Sequence, residues 1–259
     1  MKKLTINFSN LKQVKRTKPD SGFGGVVQVI LTTVAIFLAS QVVAGIIVGV
    51  FLGVSHHGKN ISGLFESPGA QFAYVLFAES AAIGLVYWVL KLKKVRFGKI
   101  GLDRRPKWSD LGSGLLGFGA YYGILIIVLA VASWLIPELN INQNQDVGFG
   151  NLSSPLDHVF AFMSLVILAP IGEEVLMRGY LYTGLRAKLQ YLPSLLITSV
   201  IFGTAHLEFG NGTPLVWVAA ISTFILSIVL VYKREKTGAL YAGILIHILN
   251  NLVAFLVHF

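Results

Sequence analysis

GGVVQVILTTVAIFLASQVVAGIIVGVFLGV occupies residues 24–54 and contains no charged side chain. About 20 apolar residues in an α-helix cross the roughly 30 Å hydrocarbon core of a bilayer, so this stretch is long enough to span a membrane. It is too long for the apolar region of a signal peptide, and no convincing cleavage site of small residues follows a short core. The sequence therefore predicts a membrane helix that the protein retains.

Six more apolar segments follow, of which 156–171 is the weakest. The chain is 54% hydrophobic and only 13% charged, which is too apolar for an ordinary soluble domain. We therefore predict an all-α fold, a polytopic bundle of about seven transmembrane helices. Its six further spans are expected at 70–90, 111–136, 156–171, 193–209, 214–232 and 238–258.

The basic residues alternate between the loops. The net charge is +9, and 20 of the 21 Lys and Arg residues lie before residue 24 or within 91–107, 178–188 and 233–236. Under the positive-inside rule this pattern predicts an N-terminus inside and a C-terminus outside. The basicity therefore reports membrane topology and argues against a nucleic-acid partner. We expect an integral protein of the bacterial plasma membrane, with membrane lipid as a partner.

The composition divides the chain into three parts. Residues 1–23 are polar and basic, and we expect a cytoplasmic arm that lies against anionic lipid. Residues 24–109 comprise the N-terminal transmembrane helices and a basic cytoplasmic loop, and residues 110–259 comprise the remaining helices. The chain has no cysteine, which excludes disulfides, thiolate metal sites and a cysteine nucleophile.

Charged residues interrupt the apolar pattern at APIGEEVLMRGYL, residues 169–181. Each unpaired charge at the centre of a membrane helix costs about 2.5–3.5 kcal/mol, so these charges must be paired, solvated or near the interface. In a helix Glu174 and Arg178 are four residues apart and can pair. Glu173 is rotated by about 100° from Glu174 and does not share that pairing geometry. Glu173 is therefore the better candidate for a working carboxylate.

Further polar side chains fall in other spans. His206 lies in IFGTAHL and His247 in GILIHILNNL, and either histidine alone would more often be a hydrogen-bonded core residue. Together with a glutamate on another helix, two imidazoles can activate water. His247 and Asn251 share a helix face and can donate hydrogen bonds to a developing oxyanion, whereas Asn250 is expected to point elsewhere. Glu79 either lines the same cavity or lies protonated against a neighbouring helix.

Three motifs now stand in order along the chain. They are Glu-Glu-x-x-x-Arg at Glu173, Glu174 and Arg178, Phe-x-x-x-His ending at His206, and His-x-x-x-Asn from His247 to Asn251. Over about residues 110–259 the chain resembles the CPBP family, the CAAX proteases and bacteriocin-processing enzymes also called the Abi family. The resemblance implies an all-helical membrane bundle with a catalytic cavity that opens towards the cytoplasm.

The resemblance also implies roles for the motif residues. Glu173 would be the general base on water, assisted by His206, while His247 and Asn251 would stabilise the tetrahedral oxyanion. Glu174 and Arg178 would support Glu173.

The family is called a metalloprotease, yet a glutamate mechanism without direct metal catalysis has also been argued for it. Zinc or another divalent metal would have Glu173, His206 and His247 as ligands. No His-Glu-x-x-His motif decides between the two mechanisms.

The implied function is that of an intramembrane endopeptidase. It would hydrolyse a peptide bond near the C-terminus of a membrane-associated protein or peptide, of which a CAAX-type prenylated protein is one class. The alternative is a non-catalytic bacteriocin-immunity or peptide-binding membrane protein. A proton-coupled transporter is a third reading, although no internal repeat supports it.

The predicted spans leave one geometric problem. Straight, upright helices would place Glu173, His247 and His206 roughly 6, 14 and 20 Å from the inner edge of the membrane. A single site then requires tilted helices or a helix break at 170–172, unless the predicted span boundaries are several residues off.

Overall fold

The computed structural model describes residues 21–55, 61–138, 147–150, 152–207 and 217–259. The predicted cytoplasmic arm, except for its last three residues, lies outside these described residues. Within them every regular element is helical, which confirms the predicted all-α class. The helices are α1 (Val26–Ser55), α2 (Ile61–Phe65), α3 (Pro68–Leu92), α4 (Trp108–Leu135), α5 (Pro155–Arg186), α6 (Tyr191–Thr204), α7 (Trp217–Thr237) and α8 (Tyr241–His258).

The number of spans differs from the prediction. Across the described ranges, six helices are long and apolar enough to cross a membrane: α1, α3, α4, α5, α7 and α8. The predicted span 193–209 is instead α6, which has 14 residues and is therefore only about 21 Å long. The predicted span 156–171 is much longer, because its helix continues through the charged motif to Arg186. The chain is an integral membrane protein with a polytopic helical fold.

Helix starts follow local chemistry. Ser67 precedes α3 and accepts a hydrogen bond from the Ala70 amide at 3.4 Å, with Pro68 as the first helical residue. Ser154 precedes α5 in the same way, accepting from the Asp157 amide at 3.2 Å, and the Asp157 carboxylate accepts from the Ser154 amide at 2.9 Å. These caps satisfy amides that the first helical turn leaves without partners.

Helix α5 forms the centre of the bundle. Its residues 174–182 are all buried, so this part of α5 is surrounded by protein on every side. Helices α1 and α3 pack together on one flank, while α4, α7 and α8 pack on one another, and α6 packs on α7. The outward faces of α1 and α4 expose large apolar side chains such as Leu31, Ile46 and Ile127, as expected for surfaces in contact with lipid.

Small residues allow α4 to approach α8 closely. A β-carbon at Gly114 would come within 2.6 Å of the Leu245 side chain. A β-carbon at Gly117 would crowd the side chains of Ile246 and Lys233. The small residues that the sequence places at 112–120 therefore serve close helix packing, which is how small residues stabilise membrane bundles.

Candidate active site

The charged motif lies on α5 between two π-helical segments. Met163–Leu168 and Val175–Leu181 are π-helical, and Ala169–Glu174 between them is α-helical. The Ala169 amide donates to the Ser164 carbonyl, five residues back. The helix therefore continues past 170–172, where a break was one expectation, because the wider π turn accommodates a proline that has no amide hydrogen. Such π segments often occur at functional sites.

Glu174 and Arg178 form the predicted ion pair. Their Oε1 and Nη1 atoms are 2.8 Å apart, and neither side chain is exposed. The Arg178 guanidinium also lies 4.2 Å above the centre of the Phe202 ring, where a cation is attracted to the ring face. Glu174 is therefore held deep in the bundle with its charge compensated.

Glu173 has a different environment from its neighbour. Its side chain is 32% exposed, and its Oε2 atom lies 3.6 Å from His247 Nε2. Among the described residues this oxygen is buried and has no hydrogen-bond partner. The two adjacent glutamates thus differ: Glu174 is completely buried and paired with Arg178, whereas Glu173 is partly exposed beside His247.

His247 joins the two glutamates across the bundle. It lies on α8 and is almost completely buried. Its Nδ1 atom is 3.2 Å from Glu174 Oε1, while Nε2 faces Glu173. The structure therefore brings the first and third motifs together, although they lie more than seventy residues apart in the chain.

His206 lies beyond the end of the short helix α6. Its Nδ1 atom is 2.8 Å from the Phe202 carbonyl, to which it can donate a hydrogen bond. The centre of the Phe202 ring is 4.7 Å from the His206 ring and 5.8 Å from the His247 ring. Phe202 thus contacts both imidazoles as well as Arg178. The expected depth of His206, about 20 Å from the inner edge, assumed that its helix crosses the whole membrane. Helix α6 is shorter than the roughly 30 Å hydrocarbon core, so that assumption does not apply.

Asn251 is held by hydrogen bonds on both sides of its amide. Its Nδ2 donates to the Leu165 carbonyl at 2.8 Å. Its Oδ1 accepts from Asn250 Nδ2 at 3.1 Å. Asn250 was expected to point elsewhere, and its Oδ1 does accept from Tyr122 on α4, while its Nδ2 reaches the neighbouring Asn251.

Glu79 lies against the helix that carries the motif. A β-carbon at Gly172 would collide with the Glu79 carboxyl group, so only glycine leaves room for this approach. Glu79 therefore packs against a neighbouring helix one residue before Glu173, and a place in the same cavity stays a prediction.

A metal would need ligands that the described residues do not gather. Across the described ranges, no group of three or more His, Cys, Asp or Glu side chains is placed to hold a metal ion. Among the described residues, the predicted set of Glu173, His206 and His247 accordingly does not form a ligand cluster.

Sequence comparison gives two findings. Residues 155–253 match the family described as "Type II CAAX prenyl endopeptidase Rce1-like". This range holds all three motifs but not Glu79. The chain is also 30% identical over 195 residues to the "Uncharacterized 24.3 kDa protein" of Escherichia coli, covering 73% of this chain and 77% of that protein. No solved structure matches the chain significantly.

Proposed function

Because the chain belongs to the CPBP family of CAAX-type intramembrane proteases, we propose that it is an endopeptidase in which Glu173 activates water. One observation carries this proposal. Glu173 is partly exposed and lies beside His247 Nε2, whereas Glu174 next to it is completely buried and paired with Arg178. A general base needs such an accessible acceptor within hydrogen-bond reach of a water molecule.

The proposed reaction is hydrolysis of a peptide bond. Glu173 takes a proton from water while the water oxygen attacks the carbonyl carbon, and His206 assists this step. His247 and Asn251 donate hydrogen bonds to the resulting oxyanion. When the carbon–nitrogen bond breaks, the proton held by Glu173 passes to the leaving amine, so the water is fully consumed.

The position of His247 supports its part in this reaction. Both of its ring nitrogens face carboxylate oxygens, Nδ1 towards Glu174 and Nε2 towards Glu173. Either ring nitrogen of a histidine can carry a proton and donate a hydrogen bond. A proton on Nε2 would then be available to a substrate oxygen that enters beside Glu173.

The proposed substrate is a membrane-associated protein or peptide that is cut near its C-terminus. The site lies on helices that cross the membrane, so a lipid-anchored chain would reach it without leaving the bilayer. CAAX-type prenylated proteins are the class suggested by the family description, and unprenylated peptides are the class to compare with them. We further propose a bacterial plasma membrane location and access to the site from the cytoplasmic side, in keeping with the positive-inside pattern.

The experiment is cleavage of fluorogenic C-terminal peptides by the purified protein. A prenylated and an unprenylated peptide are each compared for the wild type, Glu173→Gln and Glu66→Gln, whose carboxylate is exposed and far along the chain from the site. We expect cleavage by the wild type and Glu66→Gln and none by Glu173→Gln. If the wild type cleaves a peptide and Glu173→Gln cleaves it equally fast, the assignment of Glu173 is refuted. If none of the three proteins cleaves either peptide, the result favours the non-catalytic alternative.

A further inference from the structure

Hydrogen bonds within the bundle fix the side chain of Asn251 on both sides of its amide. Three hydrogen bonds run in one direction, from Tyr122 to Asn250 at 3.4 Å, from Asn250 to Asn251 at 3.1 Å, and from Asn251 to the Leu165 carbonyl at 2.8 Å. Because Asn251 Oδ1 accepts and Nδ2 donates, the amide has one orientation in this chain. One of its two N–H bonds then remains for another acceptor.

The Leu165 carbonyl is open to Asn251 for a local reason. In a regular helix this carbonyl would accept from residue 169, and in a π turn it would accept from residue 170. The Ala169 amide instead donates to Ser164, and Pro170 has no amide hydrogen. The π segment and the proline together leave the Leu165 carbonyl without a helical donor, and Asn251 fills that position.

We propose that Pro170 and Asn250 are positioning residues that orient the amide of Asn251 towards the substrate oxyanion. Pro170 keeps the Leu165 carbonyl free, and Asn250 holds the amide oxygen of Asn251. This inference rests on the proposed peptidase function, in which Asn251 is an oxyanion donor. Neither positioning residue touches the reacting atoms, so both act through Asn251.

The role of Pro170 predicts a specific kinetic effect. Pro170→Ala restores an N–H that competes with Asn251 for the Leu165 carbonyl. We expect kcat to fall roughly fivefold, the scale of one weakened hydrogen bond, while KM stays unchanged because ground-state binding does not use the oxyanion. Pro68→Ala is the matched control: Pro68 is the first residue of α3, where an amide hydrogen has no helical acceptor, and kcat should not change.

A second variant tests the other side of the amide. Asn250→Leu keeps a similar volume but removes the donor to Asn251 Oδ1. We expect the same pattern, a several-fold lower kcat with KM unchanged. Equal kcat values for wild type and both variants would overturn the proposal, and so would a rise in KM alone.

A measurement without substrate separates this proposal from the proposed function. In protein labelled with ¹⁵N-asparagine, the side-chain amide signals of Asn251 are identified by their loss in Asn251→Ala. We expect Pro170→Ala and Asn250→Leu to shift these signals and Pro68→Ala to leave them in place. Signals that do not move in either positioning variant would overturn the proposal even if the wild type cleaves no peptide. A wild type without activity, but with shifted signals in the variants, would refute only the peptidase function.

Discussion

Glu174 and His247 meet in the interior of the bundle, with Oε1 of the glutamate 3.2 Å from Nδ1 of the histidine. The same carboxylate oxygen accepts from Arg178 at 2.8 Å. Glu174 therefore connects the arginine on its own helix with the histidine on α8. The contact fixes one nitrogen of His247 and leaves the other facing Glu173.

The two adjacent glutamates should respond differently to the same substitution. Glu173→Gln should lower kcat by about 10²–10⁴-fold, the usual contribution of a general base, and leave the melting temperature nearly unchanged. Glu174→Gln should destabilise the fold by about 3–5 kcal/mol, because it leaves the buried Arg178 charge uncompensated. Thermal unfolding in detergent and peptide cleavage measured on the same preparations check both parts. Equal melting temperatures for the two variants would contradict this division of roles.

The two arginines of α5 provide a second comparison. Arg178 pairs with Glu174 in the interior, whereas Arg186 pairs with Glu235 at 3.1 Å with both side chains partly exposed. Arg178→Met should cost about 3–5 kcal/mol, since removing one partner strands a buried charge. Arg186→Met should cost about 1 kcal/mol or less, as is typical of exposed pairs. Thermal unfolding of the two variants in the same detergent measures the difference in stability. Similar losses of stability would show that burial does not determine the contribution of these ion pairs.

Much of this arrangement follows from the sequence. Apolar length predicted the helices, and four-residue spacing predicted the Glu174–Arg178 pair, which the structure confirms. Both are local properties, so a short window of sequence contains them. The span at 193–209 was predicted from its composition alone, and the helix there ends at Thr204, which hydropathy does not mark.

The remaining features depend on contacts between distant segments. Glu79 has no partner near it in the sequence, and its place against Gly172 depends on how α3 packs on α5. The bond from Asn251 to the Leu165 carbonyl depends on a π segment, for which no residue pattern is specific. Pro170 was a visible signal, but it suggested a helix break rather than an unpaired carbonyl.

The placement of the side chains that could bind a metal predicts the effect of metal removal. No three metal-ligating side chains are gathered among the residues that the structure describes, so we expect peptide cleavage to continue after treatment with EDTA or 1,10-phenanthroline. Cleavage and zinc content should be measured on the same sample, before and after dialysis against the chelator. If the chelator abolishes cleavage and added zinc restores it, this expectation is contradicted. His206 would then have to move towards Glu173.

The contact between Gly172 and Glu79 allows a test of the third carboxylate. Gly172→Ala would place a methyl group in the space of the Glu79 carboxyl. We expect this overpacking to lower the free energy of unfolding by about 1–3 kcal/mol. Cleavage activity should also fall, because Glu173 is the next residue. Gly123→Ala on α4 is the control: apart from its chain neighbours and its own helix backbone, no described atom lies within 4 Å of the added β-carbon, and alanine is the better helix former by about 1 kcal/mol. The double variant Gly172→Ala with Glu79→Ala should recover most of the lost stability, since the colliding carboxyl is gone. Thermal unfolding of these proteins and of the single variant Glu79→Ala measures the coupling between the two positions. A double variant no more stable than Gly172→Ala would show that Glu79 is not what requires glycine at this position.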